Sequence, residues 1–170
     1  KWYRKAAAQN LAIAQFSLGW MYRHGQGVTQ SYQDALKWHS KAAEQGLAGS
    51  QYELGVMYQY GHGVTQSDKE ALKLYRRAAE QDFALAQYNV GWMYTNGKGV
   101  QQNDQEALKW YRKAAEQGLA NAQHVLGVMY QNGQGLNQND QEALKWYHKA
   151  AEQDLAVAQY FLGWMYANGQ

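Results

Sequence analysis

The sequence predicts an all-α protein, an α/α solenoid of two-helix repeats each 36 residues long, and three observations carry that prediction. The first is self-similarity. Leu18-Gly19-Trp20-Met21-Tyr22 returns as Leu54-Gly55-Val56-Met57-Tyr58, Val90-Gly91-Trp92-Met93-Tyr94, Leu126-Gly127-Val128-Met129-Tyr130 and Leu162-Gly163-Trp164-Met165-Tyr166, without insertion or deletion, and all five methionines fill one slot. The second is a helical period inside the repeat: Ala14, Leu18, Met21 and Gly25 follow at intervals of four, three and four, one face of a 3.6-residue helix. The third is a side-chain cap at a fixed place, Ser31 with Asp34, Ser67 with Glu70, Asn103 with Glu106 and Asn139 with Glu142. A unit of this size cannot bury its apolar face alone, so it draws stability from its neighbours.

The elements follow in order. Lys1–Asn10 aligns with Lys37–Gly46 and reads as the second helix of a repeat, helix B, without its helix A. Helix A then spans about Ala12–His24 and closes at Gly25-Gln26-Gly27-Val28, where glycine supplies a left-handed residue. Helix B begins at the cap, with Asp68, Asp104 and Asp140 placing negative charge in its first turn in the later repeats. It continues through Ala35, Leu36, Trp38, His39, Ala42 and Ala43, an arc wide enough to touch two helices, and the alanine pair permits close approach. Leu74 replaces Trp38, Trp110 and Trp146 in one repeat, which predicts looser packing there. Gly46 and Gly118, alternating with Asp82 and Asp154, mark the turn into the next helix A. The chain is thus expected to be a single array over 1–170: a partial helix B over 1–10, repeats over 11–46, 47–82, 83–118 and 119–154, and a partial helix A over 155–170. Cut at both ends, it would leave Ala158, Leu162, Met165 and Tyr166 uncovered, and complementary ends of this kind predict head-to-tail self-association.

Composition narrows the function. There is no cysteine, hence no disulfide framework and no Cys-based metal site, although this leaves the compartment open. A net charge of +2, with Lys and Arg spread through every repeat, offers no basic patch for nucleic acid. No apolar run approaches the ~18 residues of a membrane-spanning helix, so membrane insertion is not expected. His24, His39, His62, His124 and His148 occupy five different repeat positions, which argues against a metal site. The Gly-x-Gly loops follow helices and lack the Lys-Ser/Thr of a phosphate cradle. No nucleophile or acid stands beside a His at a recurrent spacing, so neither an enzyme nor a cofactor is expected.

The pattern A-x-x-x-L-G-x-M-Y-x-x-G-x-G-V followed by A-L-K-W-Y-x-K-A-A-E-Q-G resembles the Sel1-like repeat (SLR), a branch of the tetratricopeptide-like helical repeats. The resemblance covers the whole chain, with Ser50, Leu74, Val90 and Leu136 as departures. It implies a right-handed α/α superhelix and an adaptor role without activity of its own.

If the array curves as tetratricopeptide arrays do, helix A lines the concave side. Its positions not used for packing then form a groove. In the first repeat these are Ile13, Phe16, Trp20, Arg23 and His24. Position 16 continues as Tyr52, Tyr88, His124 and Tyr160, position 20 as Val56, Trp92, Val128 and Trp164, and position 24 as Tyr60, Asn96, Asn132 and Asn168. Aromatic faces edged with amides suit a protein or peptide partner. A structural spacer whose rings only cover helix junctions is the alternative, with glycan stacking or RNA binding behind it. The helix B pairs Lys37 and Lys41, Lys73 and Arg77, Lys109 and Lys113, and Lys145 and Lys149 read as a solvated outer face.

Overall fold

A computed structural model describes residues 1–168, and the described residues hold ten helices and no strand. These are α1 (Trp2–Ala8), α2 (Ala12–His24), α3 (Tyr32–Glu44), α4 (Ala48–Tyr60), α5 (Asp68–Ala79), α6 (Ala84–Asn96), α7 (Asp104–Glu116), α8 (Ala120–Asn132), α9 (Asp140–Ala151) and α10 (Ala156–Ala167). Even-numbered helices are A helices and odd-numbered ones are B helices. Two compact units are distinguishable, Lys1–Ala86 and Gln87–Gln170.

The helix limits follow local chemistry. Each B helix from α3 onward starts behind a side chain that accepts the N–H three residues on: Asp34 N–H to Ser31 Oγ at 3.1 Å, Glu70 to Ser67 at 3.3 Å, Glu106 to Asn103 Oδ1 at 3.0 Å and Glu142 to Asn139 at 3.1 Å. The A helices α2, α4 and α8 stop at Gly25, Gly61 and Gly133, whose φ values of 69°, 70° and 69° are left-handed.

Packing within a unit is directional. The Ala-Leu-Met face of an A helix turns back onto the preceding B helix: Ala14 and Leu18 pack with Ala7 of α1, and Leu162 and Met165 pack with Ala143 and Tyr147 of α9. The opposite face turns forward onto the B helix of the same repeat. There the glycine of the Leu-Gly step is a seat for an aromatic ring. A Cβ on Gly19 would lie 2.9 Å from the His39 ring, on Gly55 2.6 Å from Tyr75, on Gly91 2.9 Å from Tyr111 and on Gly127 2.5 Å from Tyr147. His39, Tyr75 and Tyr147 are fully buried.

This directionality corrects the expectation for α10. Ala158, Leu162 and Met165 are buried, since their face meets α9; of the four residues expected to be uncovered only Tyr166 is exposed. The open face instead carries Val157, Tyr160 and Trp164. Leu74 is likewise buried, in a cluster with Ala35, Ala43, Leu54 and Met57.

Candidate partner-binding groove

The stripe singled out on the A helices divides by depth. At position 16 the rings lean on the forward B helix: Phe16 on His39 at a centroid distance of 5.6 Å, Tyr52 on Tyr75 at 5.6 Å, Tyr88 on Tyr111 at 5.5 Å and His124 on Tyr147 at 5.6 Å. One side of each ring is therefore used in packing. Tyr160 rests on the neighbouring Phe161 at 5.6 Å and is 68% exposed. Burial pushes the Tyr88 and Tyr111 hydroxyls up, takes Tyr147 up to about 12 and lowers the His124 imidazole.

Position 20 lies further out. Trp20 and Trp92 are half-buried, Trp164 is exposed, and Val56 is buried. Position 24 marks the rim, where Tyr60, Asn96 and Asn132 are exposed. Here the side chains fold back onto the helix. Asn96 Nδ2 donates to the Trp92 carbonyl at 2.8 Å, Asn168 Nδ2 donates to the Trp164 carbonyl at 2.7 Å, and His24 Nδ1 lies 2.9 Å from the Trp20 carbonyl. The His24 ring also covers Trp20, at 4.4 Å.

In the first unit Phe16, Trp20 and Met21 line a cleft of about 620 Å³ with Tyr3, Ser17, Gln26, Gly27 and Glu53. Its Tyr3 side has a counterpart one repeat on, His39, which α2 covers through Gly19. Arg23, the one cation foreseen on this face, is ion-paired with Glu53 of the next A helix and is largely shielded from solvent. The stripe is thus nearly free of unpaired charge in this unit.

Two constellations escaped the sequence reading. One is the glycine-ring seat. The other is a ladder in which an exposed glutamine pairs with a buried one 30 residues earlier: Gln45 Nε2 donates to Gln15 Oε1 at 2.7 Å, Gln81 to Gln51 at 2.8 Å, Gln117 to Gln87 at 2.7 Å and Gln153 to Gln123 at 2.8 Å. The acceptors turn their own amides toward the preceding B helix, Gln15 to the Ala7 carbonyl at 3.3 Å and Gln123 to the Ala115 carbonyl at 3.1 Å. The recurrence of Gln15, Gln51, Gln87, Gln123 and Gln159 in one slot was the available signal. Among the described residues, no group of three or more His, Asp or Glu side chains could hold a metal, and no helix is long and apolar enough to cross a membrane.

The chain is similar to known proteins along its length. Its solved relatives include c5321, a protective antigen of uropathogenic Escherichia coli with an SLR fold, at 38% identity and a TM-score of 0.96 over 98% of this chain and 36% of that one. A Sel1 repeat protein of Oxalobacter formigenes is 40% identical, with a TM-score of 0.90 over 96% of this chain and 65% of that one. The chain therefore spans little more than a third of the first relative and just under two thirds of the second. Cysteine-rich protein B of Helicobacter pylori, at 23% identity and a TM-score of 0.59 over 76% of this chain and 96% of that one, shares the fold. No curated protein matches the chain. The Sel1 repeat model matches residues 1–11, 12–47, 48–83, 84–119, 120–155 and 156–170, so this chain belongs to the Sel1-repeat family, whose members are in general non-catalytic scaffolds for protein interactions.

Proposed function

We propose that this chain is a protein-interaction scaffold that takes a peptide or a partner's helix along the stripe at positions 16, 20 and 24 of its A helices. The observation that carries the reading is the alternation at position 20. Val56 and Val128 serve packing in two repeats, so the larger indoles of Trp20, Trp92 and Trp164 exceed what the fold requires. Aromatic side chains supply contact area at low entropy cost, and interface hot spots are enriched in them. The same rings could serve only as fillers in a structural spacer, and the experiment separates the two. Partners captured on the intact chain are titrated calorimetrically against the wild type, a Trp20→Val, Trp92→Val, Trp164→Val triple variant, and a variant with Lys37, Lys73, Lys109 and Lys145 changed to Gln. A single hot spot of about 2 kcal/mol lowers affinity ~30-fold. Loss of that size in the valine variant supports the stripe. Unchanged affinity there, with loss in the glutamine variant, moves the site to the outer face of the B helices.

A further inference from the structure

The rim of the stripe says more about the partner, on the assumption that the stripe is the binding surface. All three tryptophans at position 20 share an arrangement that the valine repeats lack. In each, the side chain four residues on spends a nitrogen donor on the tryptophan's own carbonyl: His24 on Trp20, Asn96 on Trp92, Asn168 on Trp164. Asn132, beside Val128, is in the same helix position, and no such side-chain bond to the Val128 carbonyl is seen there. The bond fixes the amide in place. With one N–H of Nδ2 given to the Trp92 carbonyl, Asn96 holds Oδ1 out as an acceptor, beside its remaining N–H. A carbonyl can only accept as well, so His24 Nδ1 carries the hydrogen in its contact with Trp20, and the neutral ring presents Nε2 as an acceptor. Each tryptophan therefore stands beside a hydrogen-bond acceptor.

Two further features share the negative sign of an acceptor. Positions 20 to 24 form the last turn of an A helix, the negative end of its macrodipole. The indole face is itself electron-rich and attracts cations. At Trp20 the Glu53 carboxylate lines the same cleft, and the guanidinium of Arg23 is already engaged by it.

We infer that the Trp92–Asn96 pair, and the Trp20–His24 pair with it, is a subsite for a cationic side chain of the partner, an arginine or lysine lying on the indole and donating to the acceptor beside it. An acidic segment meets the negative end of the helix and the electron-rich indole face there. The charge that opposes such a guest is Lys98, exposed two residues beyond Asn96.

The probe is a five-residue peptide, acetyl-Gly-Gly-Arg-Gly-Gly-amide, compared with the same peptide carrying citrulline or glutamate. Citrulline keeps the planar shape of arginine and part of its N–H donors, with a carbonyl oxygen in place of one amino group and without the charge. Each is titrated into the full 15N-labelled chain, following the indole Nε1–H signals of Trp20 and Trp92 and the side-chain amide of Asn96. The arginine peptide should shift these signals, the citrulline peptide should bind at least ~3-fold more weakly, in line with a cation–indole attraction of about 0.5–1 kcal/mol at exposed sites, and the glutamate peptide should leave them in place. Trp92→Val, which borrows the array's own residue, should abolish the response at that repeat. Asn96→Leu should weaken it and Lys98→Gln should strengthen it, each with an unchanged circular dichroism spectrum. Equal binding of arginine and citrulline peptides at these signals overturns the cation subsite and leaves the stripe standing as a peptide surface. Absence of any shift at Trp20 and Trp92 with the arginine peptide overturns it also, while the calorimetry with captured partners judges the stripe separately.

Discussion

His39 shows what one residue can cost an array. The other described repeats place Tyr75, Tyr111 and Tyr147 over the glycine seat. The Tyr75 and Tyr147 hydroxyls donate to Gln59 at 2.7 Å and Gln131 at 2.8 Å. His39 is equally buried, yet neither ring nitrogen has a partner. Burial first, and then the charges of Arg23 and His24, lower its pKa from 6.5 to about 4. Because the folded value lies below the unfolded one, the unfolded chain takes the proton first as pH falls. Stability is intact above pH 6.5 and drains away between pH 6.5 and 4, by about 3 kcal/mol at most. His39→Phe should flatten that loss in urea titrations run across the same range; an identical acid sensitivity in the variant would refute the assignment. The turn residue Asp154 offers a second test. Its φ of 59° is left-handed, where Gly118 serves at 88°. Asp154→Gly should stabilise by up to about 1 kcal/mol, and a lower unfolding midpoint would contradict it.

At the level of the helix pair, the sequence revealed most where the chemistry is local. Caps, left-handed glycines and the four-three-four spacing each involve residues within one turn, and the expected A helix Ala12–His24 is the observed one. The glycine-ring seat and the glutamine ladder join residues 20 and 30 apart, between helices whose relative facing no single helix encodes. For the same reason the direction faced by Ala158, Leu162 and Met165 was misjudged: periodicity shows that they share a face and not which neighbour it meets. In the candidate site, the identities of the stripe residues were legible, but the side-chain bonds of Asn96 and Asn168 were not. The seat itself can be tested. Gly55→Ala puts a Cβ 2.6 Å from the Tyr75 ring, a clash on a bulky buried group, and should cost about 1–3 kcal/mol. With Tyr75→Leu in the background, that cost should shrink. Additive losses in a double-mutant cycle would show that the ring is not what the glycine accommodates.

Across the whole chain, the decisive property is that helix faces are interchangeable between repeats, which makes a repeat removable. Deleting residues 119–154 takes out α8 and α9 and joins Gly118 to Leu155. The residues that α8 presents to α7 then have direct substitutes in α10: Leu155 for Leu119, Ala158 for Ala122, Leu162 for Leu126 and Met165 for Met129. Gly118 keeps its own left-handed turn at the junction. One repeat and one interface between repeats are lost, and no new interface has to be invented. In a linear array stability is close to a sum of repeat and nearest-neighbour contributions, so the shortened chain should fold with the same helical content per residue. Its urea midpoint and m-value should both fall, the latter because less surface is exposed on unfolding. A deletion that abolished the helical signal would mean that distant repeats depend on one another, and the nearest-neighbour architecture would have to be abandoned.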